Sequence, residues 1–336
     1  MDPHTSTWFD SHTSHAQDWA MQALLKSKGR HTISVVIPAL NEAETIGAIV
    51  TTVREELMVE HPLIDEIVVI DGASSDATAS LAARAGAKVF AHDLIATGFA
   101  VLPGKGEAMW RSLFVTKGDI IVFLDGDLRN FSATYVTGLL GPLLTDPAVD
   151  LVKAFYDRPA PHRHDAIDLG ARSSDDEPLI RSGGGRVTEL VARPLLNLHW
   201  PELSGVIQPL SGEYAARRSL LEQLPFPTGY GIELAMLIDT LQLRGLNAIA
   251  QVDVGERQHR HQNLQALGRM AAEIWQIGMD RLDRDGHIVT VREPHTSLTQ
   301  FESTMDGHSA FTSDITVAQR PPAVAISQYT DRVLLD

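Results

Sequence analysis

The sequence contains no cysteine, which excludes a disulfide framework and any thiolate metal site and makes the reducing cytoplasm the natural compartment. Any metal must be held by Asp, Glu or His. No continuous apolar run reaches the length needed to cross a bilayer, and the opening Met1-Asp2-Pro3-His4-Thr5-Ser6-Thr7 lacks the basic-then-apolar order of an export signal. Both features lead to the expectation of a soluble, unexported protein. Positive charge is scarce: 28 Lys and Arg face 43 Asp and Glu, a formal net charge of −15, which repels polyanions, and no basic stripe offers a nucleic-acid surface. Two phosphate-binding signatures are missing as well. The first apolar run is not followed by Gly-x-Gly-x-x-Gly, which disfavours NAD. Gly98 lies one residue too far before Lys105 for a Walker loop, and Gly106 stands where that loop needs a hydroxyl.

What is present is 336 residues, 44% of them hydrophobic, enough for one large or two fused α/β domains. Residues 1–30 are polar and rich in His, Ser and Thr, with one weak amphipathic stretch around Trp19 to Leu25, and are expected to form a mobile arm or a docking helix. From Thr32, short β-branched runs alternate with helical periodicity, the pattern of a mostly parallel sheet flanked by helices. Ile33–Ile37, Glu66–Ile70, Ala87–Phe90, Asp119–Leu124 and Val149–Lys153 read as buried strands. Ile46, Ile49, Val50 and Val53 share one helical face, and Met109, Leu113, Leu190, Leu195 and Leu196 are further expected core positions. Asp157 to Ser182 has no period and reads as an exposed excursion. Helices are expected over Arg186–Leu198, Ile232–Leu243 and Leu264–Leu282, and strands near Gln208–Tyr214 and Ala248–Val254; periodicity is lost over 290–336. The chain is expected to divide into a mobile arm (1–30), a first half (31–155), a second half (156–285) and a C-terminal extension (286–336).

The most informative motif is Leu124-Asp125-Gly126-Asp127-Leu128. It follows the most hydrophobic strand, so two carboxylates emerge at the carboxyl end of a buried strand, where open α/β sheets bind ligands. Hard divalent cations choose carboxylate oxygens and keep substrate phosphates as remaining ligands. An acidic turn capping a helix would carry the same letters. Pro38-Ala39-Leu40-Asn41-Glu42 and Asp71-Gly72-Ala73-Ser74-Ser75-Asp76 are turns feeding helices; Asn41 and Asp71 suit a base edge, while Asn41, Ser75 and Asp76 equally suit helix capping. Pro103-Gly104-Lys105-Gly106-Glu107 is a glycine-flanked lysine at a helix start, fit for a phosphate. Ser182-Gly183-Gly184-Gly185-Arg186-Val187-Thr188 is an anion cradle by the same reasoning, or a flexible linker. Arg257, His259, Arg260 and His261 offer guanidinium forks and an imidazole ligand, or a solvated surface run; Thr228-Gly229-Tyr230-Gly231-Ile232-Glu233 puts a carboxylate in a helix's first turn.

Over residues 32–282 these blocks, together with Gly183–Pro194 and Gln208–Tyr214, resemble in order the GT-A glycosyltransferases and, within them, the glucosyl-3-phosphoglycerate synthases of actinobacteria. The resemblance implies a Rossmann-like GT-A fold with a fused acceptor-binding half, a homodimer, and retaining transfer of glucose from UDP-glucose to 3-phosphoglycerate; in the sister enzymes mannose comes from GDP-mannose. It also implies residue roles. Pro38, Ala39, Leu40, Glu42 and Gly72 would line the nucleoside, Lys105 would meet base or phosphates, and Asp71, Asp125, Gly126 and Tyr230 complete the nucleotide-sugar set. Asp127 and His259 would hold Mg²⁺, with Mn²⁺ as the alternative. Gly185, Arg186, Val187, Thr188 and His261 would cradle the acceptor. Glu233, the Leu210 carbonyl and Arg257 would join Asp127 at the reacting centre. The chain departs from the family where it has Gly72 and Gly126 in place of Ser and His261 in place of Asn, which leaves GDP open as the carrier. Two readings from other classes are an Asp-x-Asp phosphatase, disfavoured by Arg129 and by the pair's late position, and a non-catalytic nucleotide-sugar sensor.

Overall fold

The computed structural model describes residues 1–157, 185–257, 263–304 and 307–333. The strands are β1 (Thr13–His15), β2 (Ile33–Ala39), β3 (Glu66–Asp71), β4 (Lys88–Ala91), β5 (Ile120–Phe123), β6 (Leu151–Asp157), β7 (Tyr214–Arg217), β8 (Phe226–Pro227), β9 (Ile249–Glu256), β10 (Ser297–Thr304), β11 (Gly307–Asp314) and β12 (Gln319–Arg320). The α-helices are α1 (Pro3–His12), α2 (Met21–Lys28), α3 (Ile46–Arg54), α4 (Thr78–Ala85), α5 (Lys105–Ser112), α6 (Thr134–Thr145), α7 (Arg193–His199), α8 (Arg218–Leu221), α9 (Ile232–Arg244), α10 (Leu264–Arg284) and α11 (Ser327–Val333).

Eight strands form one sheet in the order β1-β9-β6-β7-β5-β2-β3-β4, parallel throughout except β7, which runs antiparallel to both neighbours. The alternation along each strand explains how both faces are covered. Val36, Val68, Ile70, Ile121 and Phe123 turn toward one layer, with Met109 of α5, Leu113 just after that helix, and Leu234, Leu237 and Ile238 of α9. Val35, Ile37, Val69, Val122 and Val152 turn toward the other, with Ile46 to Val53 of α3 and Val136 to Leu143 of α6. Each such side chain contributes about 1.5–3 kcal/mol when removed from water. Side chains alternate across the pleat, so runs apolar at every position are the signature of a sheet buried on both sides.

Several expectations are corrected. The amino-terminal segment is not a mobile arm. Asp2 caps α1, Trp8 is buried with its indole N–H donating to the Ile249 carbonyl at 2.8 Å, and β1 extends the sheet beside β9. Its polar composition hides this because a few scattered residues, Trp8, Ala16 and Leu24, and a three-residue strand do the anchoring. The division expected at 155 falls inside β6, and the sheet runs unbroken across it. Strand geometry begins only at Tyr214, since Ser211 N–H turns back to the Gln208 carbonyl and the Ser211 and Gly212 carbonyls are taken by Lys153 and Lys105. Leu190 is exposed, unlike buried Leu195 and Leu196, because the turn Thr188–Ala192 is wound as a π-helix and shifts the helical phase. The extension is also built: β10 and β11 form an antiparallel hairpin whose alternating polar residues carry no apolar period, and β12 pairs with β8. The expected excursion lies, beyond Asp157, outside the described residues. No described helix is long and apolar enough to cross a membrane.

Candidate active site

The strand order reverses around β2, so a crevice opens beyond the carboxyl ends of β2, β3 and β5, the place where open α/β sheets take ligands. One side is the nucleoside wall expected from the sequence. Gly72 donates to the Ala39 carbonyl at 2.9 Å, and Asn41, at φ +59°, accepts from Ser75 N–H at 2.9 Å while its own N–H donates to Ser74 Oγ. Asp76 accepts from Ala43 and Thr78 N–H groups, and Thr78 Oγ1 accepts from Glu42 N–H. The capping reading of Asn41 and Asp76 is therefore realised as stitching between two turns. Leu40 remains 56% exposed on this wall, an apolar surface for a base. Asp71 is buried, and its Oδ1 accepts no hydrogen bond among the described residues, so it is available to a donor on a ligand. Gly126 closes against the wall: a Cβ there would stand 3.1 Å from Glu42 Cγ and 3.4 Å from the Pro38 carbonyl, whereas one on Gly72 would meet nothing nearer than 3.4 Å.

The opposite side is an ionic centre. Lys105, in the first turn of α5, places Nζ 2.5 Å from Asp125 Oδ1 and 3.0 Å from Glu233 Oε1, and donates to the Gly212 carbonyl at 3.3 Å. Arg257, just past β9, reaches Asp125 Oδ2 at 2.9 Å and Asp127 Oδ1 at 3.1 Å through one nitrogen. Its other terminal nitrogen lies 3.1 Å from Glu213 Oε2 and 2.7 Å from the Tyr156 hydroxyl. Burial opposes charge on Asp125, but Lys105 and Arg257 outweigh it and hold the carboxyl well below the usual range. Burial likewise works against Lys105, yet Asp125 and Glu233 hold it charged. Glu213, fully buried, is pushed up to about 7 by burial, against the pull of Arg257, which it shares with Asp125 and Asp127.

Both oxygens of Asp125 are thus engaged, which leaves a poor nucleophile and weighs against the phosphatase reading. Asp127 differs. Its side chain is 38% exposed, and among the described residues its second oxygen accepts no hydrogen bond. Four carboxylates (Asp125, Asp127, Glu213 and Glu233) surround two cations, Lys105 and Arg257. A half-open hard-oxygen donor in a site with surplus negative charge fits a divalent cation. Among the described residues no three His, Asp or Glu cluster as a ready metal cage; His259, the expected second ligand, lies outside them, as does His261.

The remaining expected residues lie on the following elements. Gly104, Lys105 and Gly106 pack against the Thr228–Gly229 turn, and Gly106 N–H donates to the Thr228 carbonyl at 3.0 Å. Tyr230 follows that turn, half exposed, with its N–H donating to Glu273 Oε2 at 2.9 Å. Leu210 sits two residues before Gly212, whose α-carbon presses against the Asp125 carboxylate. Gly185 to Thr188 open the helical segment leading to α7; Val187 and Thr188 are buried and Arg186 is exposed.

Sequence reasoning missed Glu213 and Tyr156, which orient Arg257, and Lys153, which anchors the loop before β7. A lysine inside the apolar run Leu151-Val152-Lys153-Ala154 was the available signal. It also missed Glu107, bound by Arg111 at 2.6 Å and by Arg320 at 2.6 Å, which ties the C-terminal extension to the helix of Lys105.

Comparison with known proteins places this geometry. Residues 34–172 match the model of glycosyl transferase family 2. The glucosyl-3-phosphoglycerate synthase of Petrotoga mobilis is 43% identical over 92% of this chain and 91% of its own. The crystal structure of mannosyl-3-phosphoglycerate synthase from Rubrobacter xylanophilus superposes with a TM-score of 0.86 at 37% identity, covering 96% of this chain and 99% of that one. That of glucosyl-3-phosphoglycerate synthase from Mycobacterium tuberculosis, in complex with Mn²⁺, UDP-glucose and phosphoglyceric acid, gives 0.78 at 40% identity, covering 93% and 98%. With a GT-A sheet, an Asp-Gly-Asp turn at its switch point and relatives of this extent, the chain belongs to the glucosyl-3-phosphoglycerate synthase family of glycosyltransferases.

Proposed function

We propose that the protein transfers glucose from UDP-glucose to the hydroxyl of 3-phosphoglycerate with retention at the anomeric carbon. The observation that carries this reading is the ionic centre at the end of β5: Asp125 locked by Lys105 and Arg257, with Asp127 left half-open beside the nucleoside wall. Leu40, Asp71 and the Gly72 turn suit a nucleoside base and ribose. Asp127 and His259 would hold a divalent cation, Mg²⁺ or Mn²⁺, whose charge offsets that of the diphosphate.

The exchange balances simply. The bond from the anomeric carbon to the diphosphate oxygen breaks with its electron pair on that oxygen, the acceptor oxygen bonds to the carbon on the same face, and the hydroxyl proton passes to the departing diphosphate. Lys105 and Arg257 orient Asp125 and raise the positive potential at the leaving group. Arg186, Thr188 and His261 would hold the acceptor's phosphate and carboxylate. Such a mechanism draws on position and electrostatics and needs no strong base. Asp125 has both oxygens engaged, Glu233 is paired with Lys105, and Asp127 is assigned to the cation, which supports front-face transfer over a covalent intermediate.

The mannosyl relative's TM-score keeps one alternative donor, GDP-mannose. The test is turnover with 3-phosphoglycerate and Mg²⁺ or Mn²⁺ across UDP-glucose, GDP-glucose and GDP-mannose, with the product anomer read by NMR. UDP-glucose giving the α-anomer is expected; a β-anomer would refute retention, and turnover only with GDP-mannose would move the chain to the sister activity. A homodimer and a cytoplasmic location belong to the same proposal, supported by the family likeness and by the lack of cysteine. Light scattering of the purified chain checks the first.

A further inference from the structure

Lys153 is 1% exposed, in the centre of the sheet, with Val152 and Ala154 as chain neighbours. A buried ammonium is costly unless something needs it, and among the described residues no carboxylate lies within ion-pairing distance of Lys153. Its Nζ donates to the Ser211 carbonyl at 2.5 Å and sits 4.5 Å from the centre of the Tyr214 ring.

The loop it grips has an unusual construction, because long side chains take the carbonyls of Gly205, Val206, Ile207, Ser211 and Gly212. Gln251 donates to the Gly205 carbonyl and accepts from Ile207 N–H; Arg193 takes the Val206 and Ile207 carbonyls; Lys105 takes that of Gly212. The Leu210 carbonyl, between these anchors, accepts no hydrogen bond among the described residues. Resting on the proposed reaction, and on the role at the reacting centre that the family resemblance implies for the Leu210 carbonyl, we propose that Lys153 is a positioning residue: it holds the Ser211 carbonyl and so aims the adjacent Leu210 carbonyl at the sugar.

The electrostatics around Lys153 support a pH signature. Burial lowers it to about 8; Glu233, Glu213 and Asp125 oppose the drop, and Lys105 adds to it. Above that pH the ammonium becomes an amine, and a charge-assisted bond of about twice the strength of a neutral one is lost. The kcat/KM of the free enzyme should therefore fall on an alkaline limb near pH 8.

The test compares wild type with Lys153→Met and Lys153→Arg. In Lys153→Met, kcat falls about 10- to 100-fold while KM for UDP-glucose stays within about threefold, since misplacement by an ångström costs up to about that much. The alkaline limb disappears in Lys153→Arg, whose guanidinium stays charged beyond about pH 12. Amide hydrogen exchange at Ser211 quickens in Lys153→Met but not along β6 and β7. Wild type inert toward UDP-glucose and 3-phosphoglycerate would sink the proposed reaction, and Ser211 exchange would then decide the positioning role alone. A kcat within twofold of wild type, unchanged exchange at Ser211, or loosening spread evenly over the sheet overturns the proposal.

Discussion

Replacing Lys105 by Met removes the cation that bridges Asp125 and Glu233 and leaves the two carboxylates facing one another. Breaking a fully buried pair this way costs about 3–5 kcal/mol. Lys105 and Asp125 each keep 22% of their side-chain exposure and Asp125 retains Arg257, so water and Arg257 absorb part of it, leaving about 2–3 kcal/mol. For a chain of this size that lowers Tm by about 3–4 °C. The pH dependence follows from sign. In wild type Asp125 sits below the usual carboxylate range, so its contribution is complete above about pH 3.9 and fades only as pH falls below it. Without Lys105 its folded value rises, so the deficit is full near pH 8 and closes as acid protonates the pair toward pH 5. Thermal unfolding of both proteins from pH 5 to pH 8 reads this out, and kcat/KM should drop about 10²- to 10³-fold at neutral pH. A Tm gap that does not change with pH would refute the bridging role.

Three further outcomes follow from packing. Arg320→Met strips Glu107 of one of its two guanidinium partners and Trp110 of its stacked cation; about 3 kcal/mol of stability is lost, and KM for the donor rises because the Lys105 helix loosens, both measurable by Tm and initial rates. Trp8→Ala lowers Tm by about 4–7 °C through an emptied, hydrogen-bonded site, with kcat below the transition unchanged. Gly106→Ala drives a methyl into the Pro227 carbonyl and costs about 1–3 kcal/mol, with turnover reduced at least about tenfold.

The donor-side architecture was legible because β2, β3 and β5 are covered on both faces and therefore written as continuous apolar runs, each ending in Gly or Asx turns. The Asp-Gly-Asp turn was legible for the same reason: its address is the end of such a strand. Trp8 and β1 were not, since anchors as scattered as Trp8, Ala16 and Leu24 in a polar segment leave no period. Nor was the β10–β11 hairpin, whose faces both meet solvent. Within the site, Asp125 and Lys105 were each found as separate ligand candidates, but their mutual bond joins residues 20 apart in sequence and is a product of the fold. Glu213 and Lys153 belong to the same class: their roles arise where β6, β7 and β9 converge. Gln208 to Glu213 looked like strand because it runs into the buried strand at Tyr214, while its Ser211 and Gly212 carbonyls are taken by Lys153 and Lys105.

The central claim is that Asp127, half-open beside the locked Asp125, is where the nucleotide sugar is activated. Single-turnover formation of glucosyl-3-phosphoglycerate from UDP-glucose and 3-phosphoglycerate, run with wild type and Asp127→Asn at equal folded concentration, tests it most directly. The account predicts product from wild type and a loss of at least about 10²-fold in the variant, with Tm nearly unchanged. Equal rates from the two proteins would contradict it.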